Sequence, residues 1–215
     1  MQCKQYIQVR TAAQAVELLN AGDTLKICMA GGTDIIVKAR KRNWYENMDV
    51  IDIGQVDELC HIKEEKDSLL IGAGVKIADL CTSALCREYV PVLAKACGHI
   101  GSPQIRNRAT IGGNIANGCL AADSIPALTL LGASVRILGK KGFREVPAED
   151  FIIPCTACLN HEEMTVGGCF YGVTSGRKNV LDPGEIVAEI RVPKRYGTYR
   201  YFYQKVGRRN GFCMS

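Results

Sequence analysis

Apolar and polar positions fall into short blocks along the first fifty residues, and the blocks switch between two periods. Residues 6–9 alternate weakly, as a strand does. Ala12, Ala15, Val16, Leu18 and Leu19 then recur on one helical face, with Thr11 placed to cap the helix and Gly22 to stop it. Apolar runs at 25–29 and 48–53 read as strands, separated by an Ala30-Gly31-Gly32-Thr33 turn and a helix over 34–42. The chain therefore opens as β-α-β-α-β, closed by Gly54. Beyond that the rhythm changes. The pattern predicts helices near 77–87, 91–97 and 124–131, and strands at 69–71, 134–138, 143–146, 186–192 and 199–205. A loop carrying Gly101-Ser102-Pro103 leads to a tight turn at Thr110-Ile111-Gly112-Gly113-Asn114. Few of these connections repeat a β-α-β unit, which predicts an α+β fold with a mixed, largely antiparallel sheet and helices against it.

Composition narrows the class without deciding it. At 215 residues the chain is long enough for a sizeable core, and 47% hydrophobic with 23% charged residues is ordinary for a globular protein. No apolar run approaches a membrane span. The net charge of +5 is thinly spread and gives no reason to expect nucleic acid; the Lys38-Ala39-Arg40-Lys41-Arg42 cluster reads as a solvated helix end. Eleven cysteines, with neither a basic start nor an apolar signal core at the amino terminus, lead to the expectation of a thiol-rich cytoplasmic protein.

Chemistry concentrates in two glycine pairs. Met29-Ala30-Gly31-Gly32-Thr33-Asp34 follows a strand and opens a helix, where side-chain-free backbone and unpaired N–H groups suit an anion. Gly112-Gly113 sits at a second bend with Thr110 and Asn114 beside it. Two such bends meeting in space could hold both phosphates of a dinucleotide, while the plainer reading makes each a turn requiring positive φ. Gly72-Ala73-Gly74 lacks the third glycine of a Rossmann fingerprint, and no Walker A sequence or nucleophile elbow occurs. His61, His99 and His161 stand in no triad-like context, so no catalytic side chain is assigned.

These segments, with Gly101-Ser102-Pro103-Gln104-Ile105-Arg106-Asn107, Ala121-Ala122-Asp123-Ser124, Asp182-Pro183-Gly184-Glu185 and Tyr203-Gln204-Lys205-Val206-Gly207-Arg208-Arg209, closely resemble the FAD-binding subunit of molybdenum hydroxylases. This is the xanthine, carbon monoxide and nicotinate dehydrogenase group. The resemblance implies a two-subdomain FAD-binding fold of the vanillyl-alcohol oxidase type. Residues 1–57 would form the first subdomain and 58–193 the second, with 194–215 opening a C-terminal domain that is largely missing. It further implies that Cys28, Met29, Ala30, Gly31, Gly32, Thr33, Asp34 and Ile35 wrap the FAD pyrophosphate from one side, and Thr110, Ile111, Gly112, Gly113 and Asn114 from the other. Asp123 would bind the ribityl or nucleotide part, and Ile100 would lie beside the isoalloxazine. Val187 would contact the adenine side, and Lys205 the flavin or its phosphate. Implied partners are a large molybdopterin subunit and a small [2Fe–2S] subunit, with electrons leaving the FAD for NAD or another acceptor.

One insertion departs from the family pattern. Residues 154–175 carry Cys155, Cys158 and Cys169 at metal-ligand spacing, with Cys119 or His161 as a fourth candidate for an additional [4Fe–4S] cluster; the alternative is a metal-free loop. Two other functional classes stay open at this point: an FAD-free scaffold or assembly module, and an Fe–S redox module built on that insertion.

Overall fold

The computed structural model describes residues 3–41, 47–119, 122–153, 178–196 and 198–205. Its first part is the expected β-α-β-α-β unit: β1 (Gln5–Gln8), α1 (Ala12–Leu19), β2 (Lys26–Met29), α2 (Ile35–Lys41) and β3 (Asp49–Asp52). The three strands form a parallel sheet in the order β1-β3-β2. β3 is central and buried along its whole length, as a middle parallel strand must be. Thr11 caps α1 by accepting the Gln14 N–H at 3.1 Å.

The second sheet is antiparallel and five-stranded. β4 (Ile62–Glu64), β5 (Ser68–Gly72), β6 (Ser134–Gly139), β7 (Gly142–Pro147) and β8 (Ile186–Pro193) assemble in the order β4-β5-β8-β6-β7. Between β5 and β6 the chain builds a helical layer: α3 (Ile77–Thr82), α4 (Ala84–Tyr89), α5 (Pro91–Gly98), α6 (Pro103–Arg106), α7 (Ile111–Ala116) and α8 (Ser124–Leu130); α9 (Ala148–Phe151) follows β7. The main core lies between this layer and the sheet, with Leu80, Leu93, Ile111, Leu128, Phe151 and Ile190 in it. A second core joins the two sheets, because Ala15 and Val16 of α1 pack with Ile51 against Ile186 and Ala188 of β8.

Several local expectations need correction. The helix anticipated over 77–87 is two helices, parted at Ser83, whose extended backbone (φ −58°, ψ 128°) ends α3 while its hydroxyl caps α4. The bend at 110–114 is not a positive-φ turn: Thr110 caps α7, and both glycines sit in its first turn. Residues 199–205 form no strand; they dock through side chains on Asp123. α6, α9 and β4 were not anticipated. Lys38 is half-buried rather than solvated, and Arg42 of the same cluster lies outside the described residues.

Cys155, Cys158, His161 and Cys169 also lie outside them. The ends of that stretch are nevertheless held together by an antiparallel bridge between Ile152 and Asn179 and by the Ile153 N–H donating to Lys178 O at 3.1 Å.

Phe151 is fully buried in α9, between α8 and the β6–β7 hairpin, and its carbonyl accepts the Val180 N–H at 3.1 Å. Phe151→Ala is expected to lower the unfolding free energy by about 3–5 kcal/mol, through lost burial plus the cavity left behind. Urea denaturation measures this as a shifted midpoint at unchanged slope.

Candidate functional site

β2 ends at Met29, and the chain passes through Ala30, Gly31, Gly32, Thr33 and Asp34 before α2 begins. Gly32 has φ +72°, a left-handed value that glycine adopts at no steric cost. Gly31 is required for a different reason. A Cβ placed on it would sit 2.0 Å from the Arg108 carbonyl oxygen and 2.9 Å from the Ala109 Cα, so only a residue without a side chain lets these backbones meet. At the other end of the loop Asn117 Nδ2 donates to Asp34 Oδ1 at 3.0 Å, and Lys38 Nζ donates to Asn117 Oδ1 at 2.6 Å. Arg108 and Ala109 precede α7, and Asn117 follows it. The loop therefore runs along the flank of α7, from before its first turn to past its last.

An account of the N–H groups shows what this arrangement offers. Among the described residues, those of Gly31, Gly32, Thr33 and Asp34 donate to no backbone or side-chain acceptor. The N–H groups opening α7 are engaged: Ile111 donates to Val75 O at 2.9 Å, Gly112 to Ala73 O at 2.9 Å, and Gly113 to Thr110 Oγ1 at 3.1 Å. What the second pair supplies is bareness. A Cβ on Gly112 would lie 2.5 Å from the Ala73 Cβ, whereas one on exposed Gly113 would meet only the Thr110 hydroxyl, at 3.0 Å. The loop thus carries four unpartnered donors, and α7 a side-chain-free stretch at its first turn. Clustered backbone N–H groups of this kind form an anion-binding concavity, so the residues present fit a diphosphate-bearing cofactor.

The second motif leads to a second cluster. Ser124 Oγ donates to Asn114 Oδ1 at 2.6 Å, and the adjacent Asp123 accepts from Lys205 Nζ at 2.7 Å and from the Tyr203 hydroxyl at 3.0 Å. The Asp123 and Lys205 side chains are only 10% and 15% exposed. Lys205 also reaches His99 O at 3.4 Å, and the His99 and Tyr203 rings lie 5.4 Å apart. Burial, then the Asp123 charge, hold the Tyr203 phenol well above its ordinary range. In β2, burial and secondarily Asp52 push the Cys28 thiol up to about 12, which makes it a poor nucleophile.

The structure brings most of the anticipated residues together and leaves two apart. Gly31 and Asp34 meet the chain at the two ends of α7, which carries residues 111–114, and Asn114 connects through Ser124 to Asp123 and Lys205. Ile100 and Val187 are buried in the main core, Val187 on the strand against which α7 packs. Sequence reasoning missed Lys38, Asn117 and Tyr203. Two of these left a trace: Lys38 stands four residues after Asp34 in a helix, and Tyr203 two before Lys205. His61, by contrast, is a structural residue, bonded to Glu189 Oε2 at 2.9 Å and to Glu58 O at 3.0 Å.

A parallel three-stranded unit joined to an antiparallel sheet, with a glycine loop laid along a helix at the seam, is an α+β fold of the FAD-binding type. The family described as FAD binding domain in molybdopterin dehydrogenase matches residues 2–195, and the chain belongs to that family, whose cofactor is FAD. It is 29% identical over 212 residues to the nicotinate dehydrogenase FAD-subunit of Eubacterium barkeri, covering 98% of this chain and 65% of the relative. It is 35% identical over 164 residues to the xanthine dehydrogenase FAD-binding subunit of Escherichia coli O157:H7, covering 75% of this chain and 55% of the relative. Among solved structures, carbon monoxide dehydrogenase from Hydrogenophaga pseudoflava superposes with a TM-score of 0.83 at 28% identity, covering 100% of this chain and 67% of the other. The chain thus spans less than two thirds of the length of these two curated relatives. Among the described residues no helix is long and apolar enough to cross a membrane.

Because Tyr203 is held neutral in the fold, its stabilising contribution is complete below the unfolded tyrosine pKa of about 10 and is lost as pH rises beyond it. The tyrosinate absorbance difference between the native chain and Tyr203→Phe is expected to show a step well above pH 10. Asp123→Asn should bring that step down toward the ordinary value. A step already at the ordinary value in the native chain would contradict the buried pairing.

Proposed function

We propose that this chain is the FAD-binding electron-transfer subunit of a molybdenum hydroxylase arranged like xanthine dehydrogenase. It would receive electrons from Fe–S clusters of partner subunits and pass them through FAD to NAD or another acceptor. The observation that carries the proposal is the apposition of Gly31 with Arg108 and Ala109, which brings a loop of four unpartnered N–H groups to the start of α7. Residues 1–57 and 58–193 would be the two halves of this cleft. Bound FAD supplies the redox chemistry, and the protein supplies position and electrostatics.

In this reading Gly31, Gly32, Thr33 and Asp34 donate to the diphosphate, and Gly112 and Gly113 keep α7 close enough for it to lie between the walls. Asp123 and Lys205 form a nearly buried ion pair at the end of the same cleft, able to offer an acceptor and a cation to the flavin or its ribityl chain. Cys28 and Met29 close the floor behind the loop. Substrate hydroxylation would then fall to a large molybdopterin subunit, with a small [2Fe–2S] subunit between; the relatives' names describe subunits of larger enzymes. The seven described cysteines are all free thiols, which supports a reducing, cytoplasmic setting.

The purified chain is expected to bind FAD with visible absorption near ~450 nm. Gly31→Val should abolish binding, because its Cβ would displace the Arg108–Ala109 backbone. Gly113→Val, whose side chain would enter the open flank, should abolish FAD binding while leaving the thermal midpoint nearly unchanged. Full flavin content in both variants would sink the proposal.

A further inference from the structure

Lys38 lies in a run of cations that composition alone assigns to solvent, yet it is half-buried and hydrogen-bonded. A lysine surrenders water only for a defined acceptor, and here it is Asn117 Oδ1 at 2.6 Å. The Asn117 amide cannot be turned over. Its Nδ2 faces the Asp34 carboxylate at 3.0 Å, so a flipped amide would set N–H against ammonium and oxygen against carboxylate. The result is an electroneutral strut: carboxylate, amide, ammonium. It leads back to the bare flank of α7, because the Asn117 N–H donates to Gly113 O at 3.0 Å. Burial disfavours the Lys38 ammonium, Asp34 favours it, and Lys178 stands near enough to oppose it.

Among the described residues, the loop of unpartnered N–H groups is fastened to the flank of α7 at two points. One is the glycine contact at Gly31, and the other is this strut at Asp34. Two further bonds, the Ile36 N–H donating to Gly32 O at 2.9 Å and the Lys38 N–H donating to Asp34 O at 3.0 Å, tie the loop to α2 and not to α7. We infer that Lys38 is a positioning residue of the diphosphate cradle: through Asn117 it fixes the loop of residues 31–34 against the flank of α7. This rests on the FAD-binding reading above. Lys38 acts on the cofactor only through Asn117, so its loss weakens the grip on the diphosphate and spares the isoalloxazine end.

The test measures dissociation constants for FAD and for riboflavin, which lacks the diphosphate, by quenching of flavin fluorescence. The native chain is compared with Lys38→Met, Asn117→Ala and the double variant, with folding checked by circular dichroism. Lys38→Met is expected to weaken FAD by about tenfold, the size of one charge-assisted hydrogen bond, and riboflavin by no more than about twofold. The double variant should lose no more than the worse single one, because the two side chains act as one unit. If Lys38→Met does not fold, Lys38→Gln gives the same comparison. Unchanged FAD affinity, equal losses for FAD and riboflavin, or additive losses would each overturn the inference while leaving the FAD-binding reading intact. A native chain that binds no FAD would instead bring down that reading, and this inference with it.

Discussion

Backbone meeting backbone, with no room for a side chain between, is the constraint on which this molecule turns. Gly31 against Arg108 and Ala109 is the case at the seam between the parallel unit and the rest, and Gly72 against Leu59 repeats it beyond the seam. A Cβ on Gly72 would lie 2.2 Å from Leu59 O, whereas at the seam one on Gly184 would meet a side chain, 2.2 Å from Asn20 Oδ1. Asn20 Nδ2 in turn donates to Gly184 O at 3.0 Å. Contacts this close cannot slide, because interiors packed at crystal-like density resist small displacements. The second core then fills the space beside them, with α1 lying across β8. The position of the glycine loop against the start of α7 is therefore set by the chain itself.

The same economy explains the division of labour in the cleft. The glycine loop keeps its N–H groups unspent, whereas α7 uses its own to hold Ala73 and Val75. One segment is a donor surface and the other a shaped wall, although both carry a Gly-Gly pair. At the far end, Asp123 and Lys205 offset each other's charge, so the cluster is buried without an isolated ion. Tyr203 and Ser124 tie that pair to the chain on either side.

The opening β-α-β-α-β unit was legible because apolar spacing, the Thr11 cap and the glycine stop all agree. The helical layer was less so. Four-residue helices such as α6 and α9 have too few positions to show a period and depend on packing. Gly112 and Gly113 argue against a helix by propensity, and the Thr110 cap with the Val75 and Ala73 carbonyls overrides them. Residues 199–205 alternate like a strand, but a strand also needs a neighbour, and among the described residues these have none. The glycine pairs announced an anion site on their own, while Asp123 and Lys205 acquired meaning only through the family resemblance. Lys38 and Asn117 stayed hidden because a run of cations looks the same in sequence whether or not one of them turns inward.

The bridge joining Ile152 to Asn179 has a further consequence. It pins the two ends of the 154–177 stretch at one point, with Asn179 Nδ2 bonded to Ala116 O at 2.7 Å and Lys178 packed on Gly118. Once such ends are tied, each doubling of the intervening length costs only about 0.6 kcal/mol. Evolution can therefore lengthen, shorten or re-equip that excursion almost independently of the sheet beneath it. The two ends of that stretch stand beside the Ala116–Gly118 turn that follows α7.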